Sequence, residues 1–95
     1  MNQDPKRIDY SKKFLKQLKK APLKIQIAFR DRFAIFLADP FDPILDNHSL
    51  TGNYLGKRSI NITGDWRAIY SETTDEAGDT GLEVYLLGTH SQLYG

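Results

Sequence analysis

Apolar residues in this chain follow two rhythms, one in each half. Within KKFLKQLKKA, Phe14, Leu15, Leu18 and Ala21 recur three and four apart, and lysines take most other positions. Side chains at that spacing share one side of a helix, so the segment predicts an amphipathic helix. Ser11, just ahead of it, is suited to accept from the free amides of the first turn. Pro22 interrupts the run and suits the first turn of a second helix, where a missing amide costs nothing. That helix is expected over residues 23–37, with Ile25, Phe29, Phe33 and Phe36 at spacings of four, four and three. Two helices joined this closely pack as an antiparallel hairpin. Ile27, Ile35 and Leu37 lie off the main stripe and for the most part predict a wide buried face, the alternative being a second apolar surface for a partner.

From Ser59 onward the period drops to two. In RSINIT, Ile60 and Ile62 fall on one side, and Ser59, Asn61 and Thr63 on the other. In WRAIYSE, Trp66, Ala68 and Tyr70 alternate with Arg67, Ile69 and Ser71. Gly64 and Asp65 between these runs predict a tight hairpin. TTDEAGDTG reads as a polar hairpin loop, and LEVYLLGT as a last strand buried on both faces. RIDY, ahead of the first helix, reads as a short strand. The connection ADPFDPILDNHSLTGNYLG, punctuated by Pro40, Pro43, Gly52 and Gly56, is too long for a passive turn. The element order predicts an α+β fold. A two-helix hairpin packs on a small, mainly antiparallel four-stranded sheet (β-α-α-β-β-β), in one domain over residues 1–95. The helical connection is expected to cross one face of that sheet.

The chain has 95 residues and no cysteine, which excludes disulfides, thiolate zinc sites and a thiol nucleophile. No run approaches the length of a membrane span, and MNQDPKRIDY lacks the apolar stretch of a signal peptide. The expected location is the cytoplasm, with no membrane partner. Net charge is only +1, but residues 1–32 hold ten Lys/Arg against three Asp, and residues 33–95 hold three Lys/Arg against nine acids. The basic third suits a polyanion or an acidic partner, and is equally consistent with a solvated helix.

Three blocks, IDYSKKFLKQLKK, NHSLTGNYLGKRSINITGDWRAIY and GTHSQLYG, together resemble the RelE/ParE toxin superfamily, and within it the YafQ-like mRNA endonucleases. The resemblance covers nearly the whole chain. It rests on a His-x-Leu-x-Gly loop, a Gly-x-Arg strand start, an Asp-Trp hairpin and a terminal Gly-Thr-His, in that order. It implies a type II toxin that enters the ribosomal A site and cuts mRNA without metal or cofactor. The 2′-OH of one nucleotide would attack the adjacent phosphate, leaving a cyclic phosphate and a free 5′-OH. It also implies a cognate antitoxin, in a toxin–antitoxin hetero-oligomer that binds operator DNA through the antitoxin. The superfamily also contains non-nucleolytic, ParE-like gyrase poisons, which give the alternative reading of an impaired or purely binding member.

Residue by residue, the resemblance assigns site roles to His48, Arg58, Asp65, His90 and Tyr94. There are two departures from it. Ser59 and Asn61 stand where the family carries an acid and a histidine, and Arg67 after Trp66 looks more like the RelE branch. The chemistry itself asks for a base, an acid and donors for a pentacovalent phosphate. Histidine titrates near neutrality, arginine matches phosphate oxygens in a fork, and an aromatic ring stacks on a splayed base. The candidate catalytic set is therefore His90, Arg67, His48, Asp65, Arg58 and Tyr94, with the split of acid and base duties open. Lys57, Lys12, Lys13 and Lys16 are the expected RNA contacts, acting through charge alone. If the last strand runs antiparallel beside residues 66–72, His90 falls near Arg67 and Asp65. Two histidines and an aspartate are also the ingredients of a metal triad, but nothing sets them at ligand spacing, so no metal is expected.

Overall fold

The computed structural model describes residues 7–95. The opening residues 1–6, part of the segment read above as lacking an apolar leader, lie outside the described residues. Strand β1 (Arg7–Tyr10) is followed by helices α1 (Lys12–Lys20) and α2 (Leu23–Ala38). Strands β2 (His48–Ser49), β3 (Arg58–Asn61), β4 (Trp66–Thr74) and β5 (Thr80–Thr89) follow, and helix α3 (His90–Tyr94) closes the chain. The sheet order is β1-β5-β4-β3-β2. Only the β1–β5 pair is parallel, so the helical connection crosses from one edge of the sheet to the other.

The α+β class stands as expected, with two corrections of detail. Among the described residues the sheet has five strands, not four, because His48 and Ser49 pair with Ser59 and Arg58 at its far edge. The α-helices of the described residues number three, because GTHSQLYG leaves β5 and coils into α3. Neither element is long enough to display a period: two residues cannot alternate and five make little more than one turn. The β3–β4 turn is also wider than expected, since β3 ends at Asn61, and Ile62 donates its amide to the Trp66 carbonyl at 2.8 Å.

Ser11 caps α1 as its sequence position implied: its hydroxyl accepts from the Phe14 amide at 2.9 Å. Phe14 of α1 meets the Phe29 ring of α2 at 5.1 Å, and Tyr10 at the end of β1 meets Phe33 at 6.3 Å, so residues 10–14 run antiparallel to residues 29–33. The α2 stripe of Ile25, Phe29, Phe33 and Phe36 is buried against Ile60, Ile62, Ala68, Tyr70, Leu82, Val84 and Leu87 from one face of the sheet. The other face carries a smaller cluster of Leu50, Ile69, Leu86 and Leu93. It is roofed by the β2–β3 connection and α3 rather than by the helical hairpin.

Strand β1 pairs with β5 only as far as Val84, which leaves the rest of that β5 edge without a strand. Helix α1 satisfies it. The Ser11 hydroxyl donates to the Tyr85 carbonyl at 2.6 Å, and the Leu87 amide donates to Gln17 Oε1 at 2.8 Å. A buried amide without a partner costs about 1–3 kcal/mol. Gln17→Ala is therefore expected to lower unfolding stability by about 1–3 kcal/mol in urea titration. Lys16→Ala, on the exposed side of the same helix, should stay within about 0.5 kcal/mol of the parent.

Candidate functional site

Antiparallel pairing of β4 with β5 sets Arg67 opposite Gly88 and Trp66 opposite Thr89. The chain then turns into α3. Thr89 caps that helix in a reciprocal box with Gln92, and the His90 amide donates to the Asp65 carbonyl at 3.0 Å. Asp65 therefore holds the start of α3 through its backbone, while its side chain is exposed. The fold-back packs closely on Gly88, where a Cβ would lie 3.1 Å from Gln92 Oε1 and 3.3 Å from Leu93, so a larger residue there would have to displace these side chains. The His90 ring, on the first turn of α3, rests on the Tyr94 ring at 4.8 Å between centroids.

His48 reaches the same place from the opposite edge of the sheet. An open cleft of about 350 Å³ is lined by His48, Arg67, His90 and Tyr94, with Asp46 and Thr51 at its rim. His48 Nδ1 lies 2.8 Å from the Asp46 carbonyl. A carbonyl only accepts, so the proton of a neutral His48 sits on Nδ1 and Nε2 keeps its lone pair. Asp46 adopts a left-handed backbone (φ 45°), a conformation aspartate tolerates better than most residues. The Asp46 carboxylate lies 4.0 Å from the same ring nitrogen. Arg67 Nη1 donates to the carbonyls of Gly64 at 3.1 Å and Thr63 at 3.4 Å. These contacts use one guanidinium nitrogen and leave the others for a ligand.

Arg58 is the predicted site residue that the fold sends elsewhere. It alternates with Ser59, so it shares the helix-packed side of β3 with Ile60. Its Nε donates to Asn47 Oδ1 at 2.8 Å, and Asn47 Nδ2 donates to Tyr70 Oη at 2.8 Å. Its guanidinium lies 5.4 Å from the Phe41 ring. Burial pushes the Tyr70 hydroxyl above its ordinary pKa, so it remains a neutral partner for Asn47. Arg58 and Asn47 thus tie the β2 edge to the main core from beneath.

Ser59 and Asn61 do face the cleft side, opposite His48 and Arg67 in register. Ser59 is fully buried, however, and its hydroxyl and Asn61 Oδ1 have no hydrogen-bond partner among the described residues. Neither side chain titrates in the useful range. Lys57 lies on the cleft side, its Nζ 4.6 Å from the Tyr85 ring. Lys12, Lys13 and Lys16 are exposed on α1, outside the cleft lining. Among the described residues, no group of three or more histidine, aspartate or glutamate side chains is arranged to hold a metal ion. Asp46 and Tyr54 were not foreseen. The signals available were an aspartate two residues before His48 and a lone aromatic after Gly52 in a polar loop.

A sequence model described as "Bacterial toxin of type II toxin-antitoxin system, YafQ" matches residues 6–95. The chain belongs to the YafQ family of bacterial type II toxins. Solved structures agree with this membership. YafQ from E. coli strain BL21(DE3) is 25% identical with a TM-score of 0.75, the match covering 93% of this chain and 97% of that one. YafQ in the E. coli DinJ-YafQ toxin-antitoxin complex is 25% identical with a TM-score of 0.72, covering 93% and 96%. A YoeB/ParE toxin from Agrobacterium tumefaciens shares the fold at 17% identity and a TM-score of 0.71, covering 88% and 98%. No curated protein matches the chain. Among the described residues, no helix is long and apolar enough to cross a membrane.

The two arginines should separate cleanly in this YafQ-family toxin. Arg58→Ala leaves Asn47 Oδ1 without its donor, and is expected to cost about 1–3 kcal/mol in urea unfolding. Arg67→Ala gives up only contacts to turn carbonyls and should move stability by no more than about 0.5 kcal/mol.

Proposed function

We propose that this toxin is a ribosome-dependent endonuclease that cuts mRNA in the A site by attack of a 2′-OH on the adjacent phosphate. The observation that carries the reading is the cleft in which His48, Arg67, His90 and Tyr94 meet, drawn from the edge strand β2, the central strand β4 and helix α3. Each supplies a part of that reaction. His48 Nε2 takes the 2′ proton, its ring held in the required tautomer by the Asp46 carbonyl. As the 2′ oxygen bonds to phosphorus, the bond from phosphorus to the 5′ oxygen breaks, and protonated His90 gives its proton to that oxygen. Arg67 binds the non-bridging oxygens as charge builds on them. Tyr94, half-exposed beside His90, stacks on the base at the cut.

The departures at Ser59 and Asn61 support this division of labour. With neither position able to carry a proton, the two cleft histidines take both duties. Asp65 supports the site through the His90 backbone. Lys57 and the α1 lysines bind RNA phosphates at a distance from the reacting atoms, which positions the toxin without reading sequence. The reaction as drawn uses side chains alone and no metal or cofactor. It takes place in the cytoplasm, on the ribosome. The regulatory partner is an antitoxin, as DinJ is for the E. coli YafQ crystallised with it. The resulting hetero-oligomer binds operator DNA through that antitoxin.

Induction in bacteria, followed by mapping of mRNA ends, tests the reading. New ends inside codons are expected, together with growth arrest. His48→Ala, His90→Ala and Arg67→Ala should each lower cleavage about 100-fold or more while remaining folded. Cleavage by the purified toxin on ribosomes should persist in chelator when magnesium is held at the level ribosomes need. Growth arrest with no new mRNA ends would contradict the proposal, and gyrase inhibition would then support the ParE-like alternative.

A further inference from the structure

The cleft depends on two separate pieces of chain, and one side chain outside its lining joins them. Helix α3 has five residues, too few to be stable alone. Its N-terminal end is fixed by the Thr89–Gln92 box and by Asp65, and Leu93 is buried beneath it. Its C-terminal end carries the unpaired carbonyls that any helix leaves. Tyr54 Oη donates to one of them, Leu93 O, at 3.0 Å. Apart from the Thr89–Gln92 box at its start, this is the one side-chain hydrogen bond reaching α3 from another element among the described residues. The Tyr54 ring also meets the Tyr94 ring edge-on at 5.9 Å, and Tyr94 in turn touches His90 at 4.8 Å.

Tyr54 stands in the same connection as His48. That connection is closed on itself by the Leu50 amide donating to the Lys57 carbonyl at 3.0 Å and the Lys57 amide donating to the Tyr54 carbonyl at 2.9 Å. The sequence therefore places His48 and the tyrosine six positions later in one small hydrogen-bonded unit, and that unit grips the helix bearing His90. We propose that Tyr54 is a positioning residue that sets His90 and Tyr94 against His48 across the cleft. It touches none of the reacting groups and acts through Tyr94 and the Leu93 carbonyl. This role rests on the nuclease reading for its effect on catalysis. Its effect on His90 geometry does not.

Tyr54→Phe, which keeps the ring and removes the hydroxyl, and Tyr54→Ala, which removes both, separate the two contacts. In ribosome-bound mRNA cleavage, Tyr54→Phe is expected to lower kcat about tenfold at unchanged KM, and Tyr54→Ala further. In NMR spectra of the free protein, the His90 ring protons should be displaced by the Tyr94 ring in the parent. They should move part of the way towards unstructured values in Tyr54→Phe and fully in Tyr54→Ala, with the α2 resonances unmoved. His90 resonances at parental values in both variants would overturn the inference, whatever happens to kcat. If the parent cuts no RNA, the nuclease reading fails, and the NMR series still decides whether Tyr54 positions His90.

Discussion

The pairing of β4 with β5 is the interaction on which the rest depends. It carries Arg67 and the start of α3 to the same end of the sheet, and its register decides what faces the cleft. That register is irregular. Ile69 pairs with Leu86 and Tyr70 with Val84, so Tyr85 is an extra residue in β5. Counting in twos from Val84 would put Leu86 with the helices and Leu87 in the cleft. The extra residue reverses this, and Leu87 joins the main core while Leu86 and Tyr85 pack on the cleft side. The backbone groups exposed by this irregular stretch are the ones that Ser11 and Gln17 satisfy from α1.

The two faces of the sheet have different tasks. The helix-packed face holds a row of rings in contact, from Phe14 through Phe29, Phe33 and Phe36 to Tyr70, and carries the larger of the two buried clusters. The other face has a thin cluster and is covered by irregular chain, which leaves room for a cleft. The same division explains the arginines. Arg58 and Arg67 differ by an odd number of positions across a hairpin, and one falls among buried partners while the other opens to the cleft.

Much of the fold was legible because its elements are long enough to repeat. The α2 stripe and the β3–β4 alternation each name their own buried side, and Ser11 marks a helix start. The cleft was half legible. His90 and Arg67 follow from strand order alone, once β5 lies antiparallel to β4. His48, forty-two residues before His90 in sequence, does not, because a two-residue strand has no period and its place is fixed only by pairing with Ser59. Arg58 lies outside the cleft lining for a local reason. It begins a strand beside a loop that carries other site residues, and only the parity of β3, fixed by Ile60 in the core, sends it to the far side. Tyr54 carried no signal beyond being aromatic, since its role is a hydrogen bond to a carbonyl thirty-nine positions away.

The central claim is that two histidines in this cleft move a proton from, and a proton to, the two oxygens of one RNA linkage. The most direct measurement uses ribosomes programmed with mRNA that carries either ribose or 2′-deoxyribose at the single nucleotide where the A-site cut falls. The account predicts that the ribose substrate is cut to a cyclic phosphate and a 5′-OH, and that the 2′-deoxy substrate is not cut at all. Cleavage of the 2′-deoxy substrate at a comparable rate would contradict it, because no attacking hydroxyl would then be needed and His48 would have no proton to take.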